Sequence, residues 1–143
     1  MPVWVRVSIR APGSSTSIST SAAANTMFSI GPRPLINLPA TLASRLGFDV
    51  RAARLLMTAR DAGGRPLPIY ELGLVEVKVE VPDRETDWVR AIATHLGGSV
   101  VLLNDVLIEE LGLVPERPGT GLWRFRDESS DSLRRSAEPE YWP

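Results

Sequence analysis

The sequence predicts a mostly β protein, a small closed barrel or sandwich with one or two short helices. Residues 3–10 and residues 75–81 alternate aliphatic side chains with polar or bulky ones, which is typical of strands with one buried face. Clusters of Gly, Pro, Asp and Ser recur about every ten residues, a spacing common in barrels and sandwiches. Only two short segments have the leucine spacing and the stop signals of helices.

The elements follow from these local signals in chain order. The turn 11–15 separates the first strand from a second one rich in small and β-branched residues, which predicts a hairpin. A helix is predicted where Pro39 opens and Gly47 closes a segment with leucines one turn apart, and a second short helix ends before Gly112. The predicted strands are 3–9, 16–24, 35–38, 53–59, 69–81, 88–94, 100–103 and 121–125.

The chain length favours one domain, because 143 residues are enough for a single substantial core. The predicted strands place this β domain at residues 1–126. Residues 127–143 are charged and rich in serine, without apolar periodicity, and are expected to form a polar C-terminal tail.

Composition excludes several classes of function. The sequence has no cysteine and one histidine, His95, which leaves little for thiol chemistry or a zinc site, so no metal or cofactor is expected. A net charge of −1 gives no argument for nucleic-acid binding. No apolar run approaches the roughly 18 residues of a membrane helix, and the alternating N-terminus does not resemble a signal peptide, so a cytoplasmic protein is expected. Fifteen of the 16 basic residues are arginine, which fits a thermophile and a genome of high GC content equally.

The segment Val100–Val114 is the most informative part of the chain. An aliphatic strand meets Asn104, a short helix follows from Asp105 to Leu111, and Gly112 ends it. Together with the upstream hairpin, this pattern resembles the retropepsin-like aspartic proteases and their archaeal and bacterial relatives. Residues 38–47 are also similar to the segment that follows the catalytic loop in those relatives.

The resemblance implies a fold and an assembly. It implies a retropepsin-like barrel whose flap is the turn at residues 61–66, with Asp61, Gly63 and Gly64 over a cleft. It also implies a homodimer, because each protomer of the family supplies one half-site. The apolar side chains of the terminal segments, including Trp4 and Trp123, are then expected at the dimer interface.

The catalytic triplet of that family, Asp-Thr/Ser-Gly, has diverged in this chain. The matching segment reads Asn25-Thr26-Met27. An aspartic protease needs two carboxylates that share a proton, and an asparagine amide does not ionise near neutral pH. Methionine also adds bulk where glycine permits close approach of the backbone. We therefore expect a non-catalytic homodimer that binds peptides or serves as an assembly module.

Other interpretations remain open at the level of sequence. Asn25 is equally a turn residue at a strand end, and Asp105 is expected to be the N-cap of its helix rather than a catalytic acid. His95 is expected to be a strand-end residue, and Asp61 either forms its turn or projects over the cleft. Two other functions compete with the non-catalytic dimer: an active aspartic peptidase with unrecognised acids, and an unrelated small β-barrel binding protein.

Overall fold

The computed structural model describes residues 2–24 and 31–143. Its first half contains the strands β1 (Val3–Arg10), β2 (Ile18–Ala24) and β3 (Leu35–Asn37), the helix α1 (Ala40–Arg45), a 3-10 turn (Val50–Ala52) and the strand β4 (Arg54–Arg60). Its second half contains β5 (Pro66–Val79), β6 (Val89–His95), β7 (Val101–Leu103), α2 (Asp105–Glu110), β8 (Leu113–Arg117) and β9 (Leu122–Phe125).

Six strands close into a barrel in the order β1-β2-β7-β3-β6-β5, and the pairing of β5 with β1 completes the circle. The strand β4 lies outside this circle and extends β5 into a hairpin. The pairs β2–β7 and β3–β6 are parallel, whereas β7 and β3 run antiparallel. The expected mostly β closed barrel with two short helices is therefore confirmed.

The alternating pattern of the sequence forms the barrel interior. Every second residue of a strand faces the same side of the sheet, so the alternating aliphatic residues of β1 and of the second half of β5 point inward. Leu42 of α1 and Leu107 of α2 pack against the same core and are fully buried. The inward aliphatic residues of the two long strands are Val3, Val5, Val7, Ile9, Val75, Val77 and Val79.

Gly73 and Gly112 occupy positions where a side chain would cause strain or a steric clash. Gly112 ends α2 with a φ of 75°, a conformation that side chains with a Cβ rarely adopt. Gly73 follows a bulge in β5, and a Cβ at this position would lie 2.8 Å from the ring of Phe48. The ring of Phe48 therefore packs directly on the backbone of the strand.

The chain after α2 forms a second, two-stranded sheet from β8 and β9. The sequence pattern missed β8, because Pro115 and the charged residues after it interrupt any alternation. Residues 127–143 contain no further strand. Arg134 forms a bridge with Trp123 of β9, and Ala137 contacts Trp4 of the barrel strand β1. The side chains of Trp4 and Trp123 are only 5% and 3% exposed. Their expected role as exposed interface residues is therefore wrong.

Each of the two α-helices has six residues. Within the described ranges, no helix is long and apolar enough to cross a bilayer.

Candidate functional site

The described structure ends at Ala24 and resumes at Gly31, on the two sides of the segment that contains Asn25, Thr26 and Met27. This segment follows Ala24 at the end of β2 and precedes Leu35 at the start of β3, and β7 lies between these two strands. Ala24 pairs with Leu103 of β7. Asn25, Thr26 and Met27 themselves lie outside the described residues.

Asn104, directly after β7, forms hydrogen bonds with residues before and within β3 and with the first turn of α2. Its Oδ1 accepts hydrogen bonds from the backbone N–H groups of Leu35 and Leu107, both at 2.9 Å. Its Nδ2 donates to the carbonyl of Arg33 at 2.8 Å, and its own N–H donates to the carbonyl of Leu35. The side chain is completely buried. Asn104 therefore links the start of β3 to the start of α2.

The N-cap of α2 is Asn104, and the expectation that Asp105 caps this helix is wrong. Asp105 is the first helical residue, and its Oδ1 is buried without a hydrogen-bond partner among the described residues. The physical reason is that this position needs both a donor and an acceptor. An amide offers both, whereas an ionised carboxylate only accepts.

A second apolar cluster lies on the outer face of the wall formed by β7, β3 and β6. Because Ile36, Leu103 and Ala93 point into the barrel, their neighbours in the strands point outward. Leu35 and Ile92 are nearly buried there by three partly buried leucines. We call this set the outer cluster; its members are Leu35, Leu56, Ile92, Leu96 and Leu102.

Three hydrophobic side chains of the β4–β5 hairpin are exposed. Leu74 lies opposite Ile92 in the sheet and is 52% exposed. Leu55 of β4 lies opposite Tyr70 of β5, and these side chains are 57% and 38% exposed. In the described part of the chain, β4 pairs with β5 alone, so its other edge has no strand partner there. The exposed pair of Leu55 and Tyr70 thus lies next to this strand edge.

The hairpin turn uses Asp61 for its own construction. The Oδ1 of Asp61 accepts hydrogen bonds from the N–H groups of Gly63 and Arg65, both at 2.9 Å. Gly64 adopts a φ of 81°, which a glycine accommodates readily. Of the two interpretations of Asp61, the structure therefore supports the one in which its side chain forms the turn.

His95 and Asn37 are also used structurally. The Nδ1 of His95 lies 2.8 Å from the carbonyl oxygen of Leu38, to which it donates in the tautomer with hydrogen on Nδ1. Buried Asn37 accepts from the N–H of Leu96 and donates to the carbonyl of Val100. His95 thus has the strand-end role that was expected. Across residues 2–24 and 31–143, no three His, Cys, Asp or Glu side chains are grouped to hold a metal ion.

A polar cleft of about 240 Å³ lies at the opposite corner, between the β5–β6 connection, the end of α2 and β9. Two of its charged side chains, Arg84 and Asp127, are paired, and Glu128 links Arg84 to Arg134. Arg84 binds the carboxylate of Asp127 through two hydrogen bonds of 2.8 and 3.1 Å, and Arg134 binds Asp83 through two of 2.8 Å and Glu128 at 2.6 Å. We call these five residues the C-terminal clamp.

Hydrogen bonds from the arginines lower the pKa values of the clamp carboxylates. Arg134 holds the pKa of Glu128 and of Asp83 below their ordinary values, and Arg84 does the same for the pKa of Asp127. These carboxylates are therefore ionised and paired at neutral pH. None of the three has the raised pKa of a general acid.

No protein-family model matches the sequence, and a search of curated proteins also finds no match. The function is therefore argued from the geometry above.

Proposed function

We propose that the protein is a non-catalytic, retropepsin-like homodimer that binds an extended, apolar peptide segment of another protein. The binding surface is the outer cluster with the adjacent edge of β4. The diverged triplet around Asn25 takes the place of the catalytic centre.

The order and placement of the elements support this proposal. The hairpin β1–β2 leads into the segment of the triplet, the hairpin β4–β5 follows, and β7 leads directly into α2. β7 lies between β2 and β3, the strands that precede and follow the triplet in sequence, and Asn104 links the start of β3 to the start of α2. This is the order that the resemblance to retropepsin-like proteins implies.

One observation carries the proposal of peptide binding: exposed hydrophobic side chains lie beside a strand edge. Leu55 and Tyr70 form an exposed cross-strand pair next to the free edge of β4, and exposed Leu74 lies opposite Ile92 of the outer cluster. An extended peptide pairs its backbone with such an edge, and its alternate side chains pack on the neighbouring apolar surface. Clusters of exposed hydrophobic residues on a protein surface commonly mark interaction sites.

The chemistry of the described acids supports a non-catalytic role. Asp61 is used in its turn, and the clamp carboxylates are paired with arginines. Asn25 offers an amide where proton sharing needs a carboxylate. The proposed dimer would therefore bind a peptide bond without activating water towards it.

Fluorescein-labelled unfolded casein tests binding and cleavage together. We expect the anisotropy of the label to rise with protein concentration, and we expect no cleavage at a pH of about 4 to 5, where aspartic peptidases work. Leu55→Lys and Leu74→Lys should weaken binding, whereas Thr58→Lys, also exposed on β4, is the matched control. Cleavage that a statine-type inhibitor abolishes would show an active peptidase. Failure to bind would favour an unrelated barrel.

The proposed dimer and the role of Asn25 have their own tests. Sedimentation equilibrium at micromolar concentration should show twice the protomer mass of 15.6 kDa. Asn25→Asp should place two carboxylates face to face and raise one apparent pKa, so that the folded dimer binds protons more tightly than the unfolded chain. The variant should then lose stability, relative to the native protein, as the pH rises from about 4 to 8. A difference that is independent of pH would place residue 25 far from its copy.

A further inference from the structure

The last eight residues lie as an extended strap across the barrel, on a different surface from the outer cluster. We call residues 136–143 the strap. It forms no strand, yet it makes backbone contacts with β1. The N–H of Trp4 donates to the Oγ of Ser136 at 3.0 Å, and the N–H of Ala137 donates to the carbonyl of Trp4 at 2.9 Å. The start of the strap therefore engages both backbone groups of one residue of β1.

A charged contact fixes the middle of the strap. One carboxylate oxygen of Glu140 accepts hydrogen bonds from the guanidinium of Arg6 at 2.8 Å and from the backbone N–H of Ser21 at 3.2 Å. The ring of Tyr141 contacts the ring of Trp4 edge to face at 6.0 Å. Tyr141 is itself 65% exposed, so the outer side of the strap faces solvent.

Trp142 fills a gap in the barrel wall. β2 pairs with β7 only through residues 22–24, so its first half has no partner on that side in the described structure. The N–H of Trp142 donates to the carbonyl of Ser99 at 2.7 Å, and its indole N–H donates to the hydroxyl of buried Thr20 at 2.9 Å. The ring packs against the main core, and the guanidinium of Arg45 lies 5.4 Å from its centre.

We propose that this surface is a second peptide-binding groove, occupied in cis by the strap. In trans it takes an extended segment of a partner protein with the same spacing, Ser-Ala-x-x-Glu-x-Trp. Three features select that segment: the backbone groups of Trp4, the cation of Arg6 and the indole-sized gap beside Thr20. This proposal is independent of the function assigned to the outer cluster.

The strap is suited to exchange because it can leave without removing a strand. All six barrel strands are complete before residue 127, and none of them includes a residue of the strap. The side chains of Arg6 and Glu140 are 41% and 38% exposed, and ion pairs at such exposure contribute little. A segment tethered in this way competes with free peptide as an intramolecular ligand, at an effective concentration of about millimolar.

The test uses the full-length chain and a fluorescein-labelled peptide with the sequence of residues 135–143. Wild-type protein should bind this peptide weakly, since its own strap fills the groove. Trp142→Ala protein should bind the same peptide about ten-fold more tightly or better, because its strap competes poorly. Peptides with Trp142→Ala or Glu140→Gln should lose affinity, and the peptide with Glu138→Gln is the matched control, because Glu138 is exposed.

A second protein variant keeps the test decisive if the first variant does not fold. Circular dichroism checks that Trp142→Ala protein is folded. Where it is not, Glu140→Gln protein, which loses one charged contact and no core side chain, should still bind the peptide a few-fold more tightly than wild type. Folded variants that bind no better than wild type would overturn the proposal. Equal binding of the native peptide and its Trp142→Ala form would overturn it as well.

Discussion

The barrel and the C-terminal region, residues 127–143, are held in place by different forces. The barrel strands alternate along their length, pair through their backbones and bury their aliphatic residues. The C-terminal region has no such alternation and is held by isolated backbone hydrogen bonds, by Trp142 and by charged side chains, among them Arg134. Burial of apolar surface therefore stabilises the first region, whereas charge pairing contributes more to the position of the second.

This difference determines what a substitution costs in each region. A charge placed in the barrel interior loses its hydration and finds no partner, at a cost of several kcal/mol. A charge removed from the clamp leaves partners that reach solvent, since the side chain of Asp83 is 58% exposed. The cost of a substitution should therefore fall from the barrel interior outward.

Val77→Asp should have the largest effect. Val77 is completely buried in the core, so the carboxylate should destabilise the fold by about 3 to 5 kcal/mol. Lys78→Asp, one residue away on the outer face, removes only a cation contact with Trp88 and should cost about 1 kcal/mol or less. Urea unfolding of both variants measures the difference. Equal losses would mean that β5 faces the other way.

Much of the barrel could be predicted from the sequence because period-two burial is a local signal. Both ends of the strands β1, β2 and β5 lie within three residues of their expected bounds. The closure of the sheet into a barrel could not be predicted from local sequence patterns, because the pairing of β1 with β5 joins residues about 70 positions apart. The strand β8 was missed because Pro115 and Glu116 hide its pattern.

Asn104→Ala should have the next largest effect. It leaves the N–H groups of Leu35 and Leu107 and the carbonyl of Arg33 without their partner in a buried site. Unsatisfied buried groups of this kind should cost about 2 to 4 kcal/mol in total. Asp105→Ala is the matched control. It should change stability by less than about 0.5 kcal/mol, because only a first-turn charge is lost. The opposite ranking in urea unfolding would restore Asp105 as the cap.

The candidate site was less predictable than the strands for a related reason. The sequence marks the Asn-Asp pair after an apolar strand, but which of the two caps the helix depends on Arg33 and Leu35, about 70 residues away. The outer cluster likewise combines residues from four strands. No local pattern in the tail indicates that Arg134 meets Asp83 or that Glu140 meets Arg6.

Arg134→Gln should have a smaller effect than either interior substitution. It removes the paired hydrogen bonds to Asp83 and Glu128 and the contact of the guanidinium with the rings of Trp123 and Phe125. Because these partners are partly solvated, we expect a loss of about 1 kcal/mol. Arg135→Gln, with an exposed side chain next in sequence, should be silent in the same unfolding experiment. If the two variants behave alike, the clamp does not stabilise the fold.

The smallest effect is the pH dependence of that loss, and its sign distinguishes charge pairing from simple packing. Arg134 lowers the pKa of Glu128 and of Asp83 in the folded protein, from ordinary values of 4.5 and 3.8. The unfolded chain therefore binds more protons in the acid range, so the stabilisation is complete above the ordinary values and disappears as the pH falls through the lowered ones. The stability difference between native protein and Arg134→Gln should be constant from about pH 6 to 8 and should shrink below about pH 4. Melting temperatures of both proteins across this range measure it. A difference that persists unchanged at the lowest pH would mean that Arg134 acts through its contacts with Trp123 and Phe125 rather than through its charge.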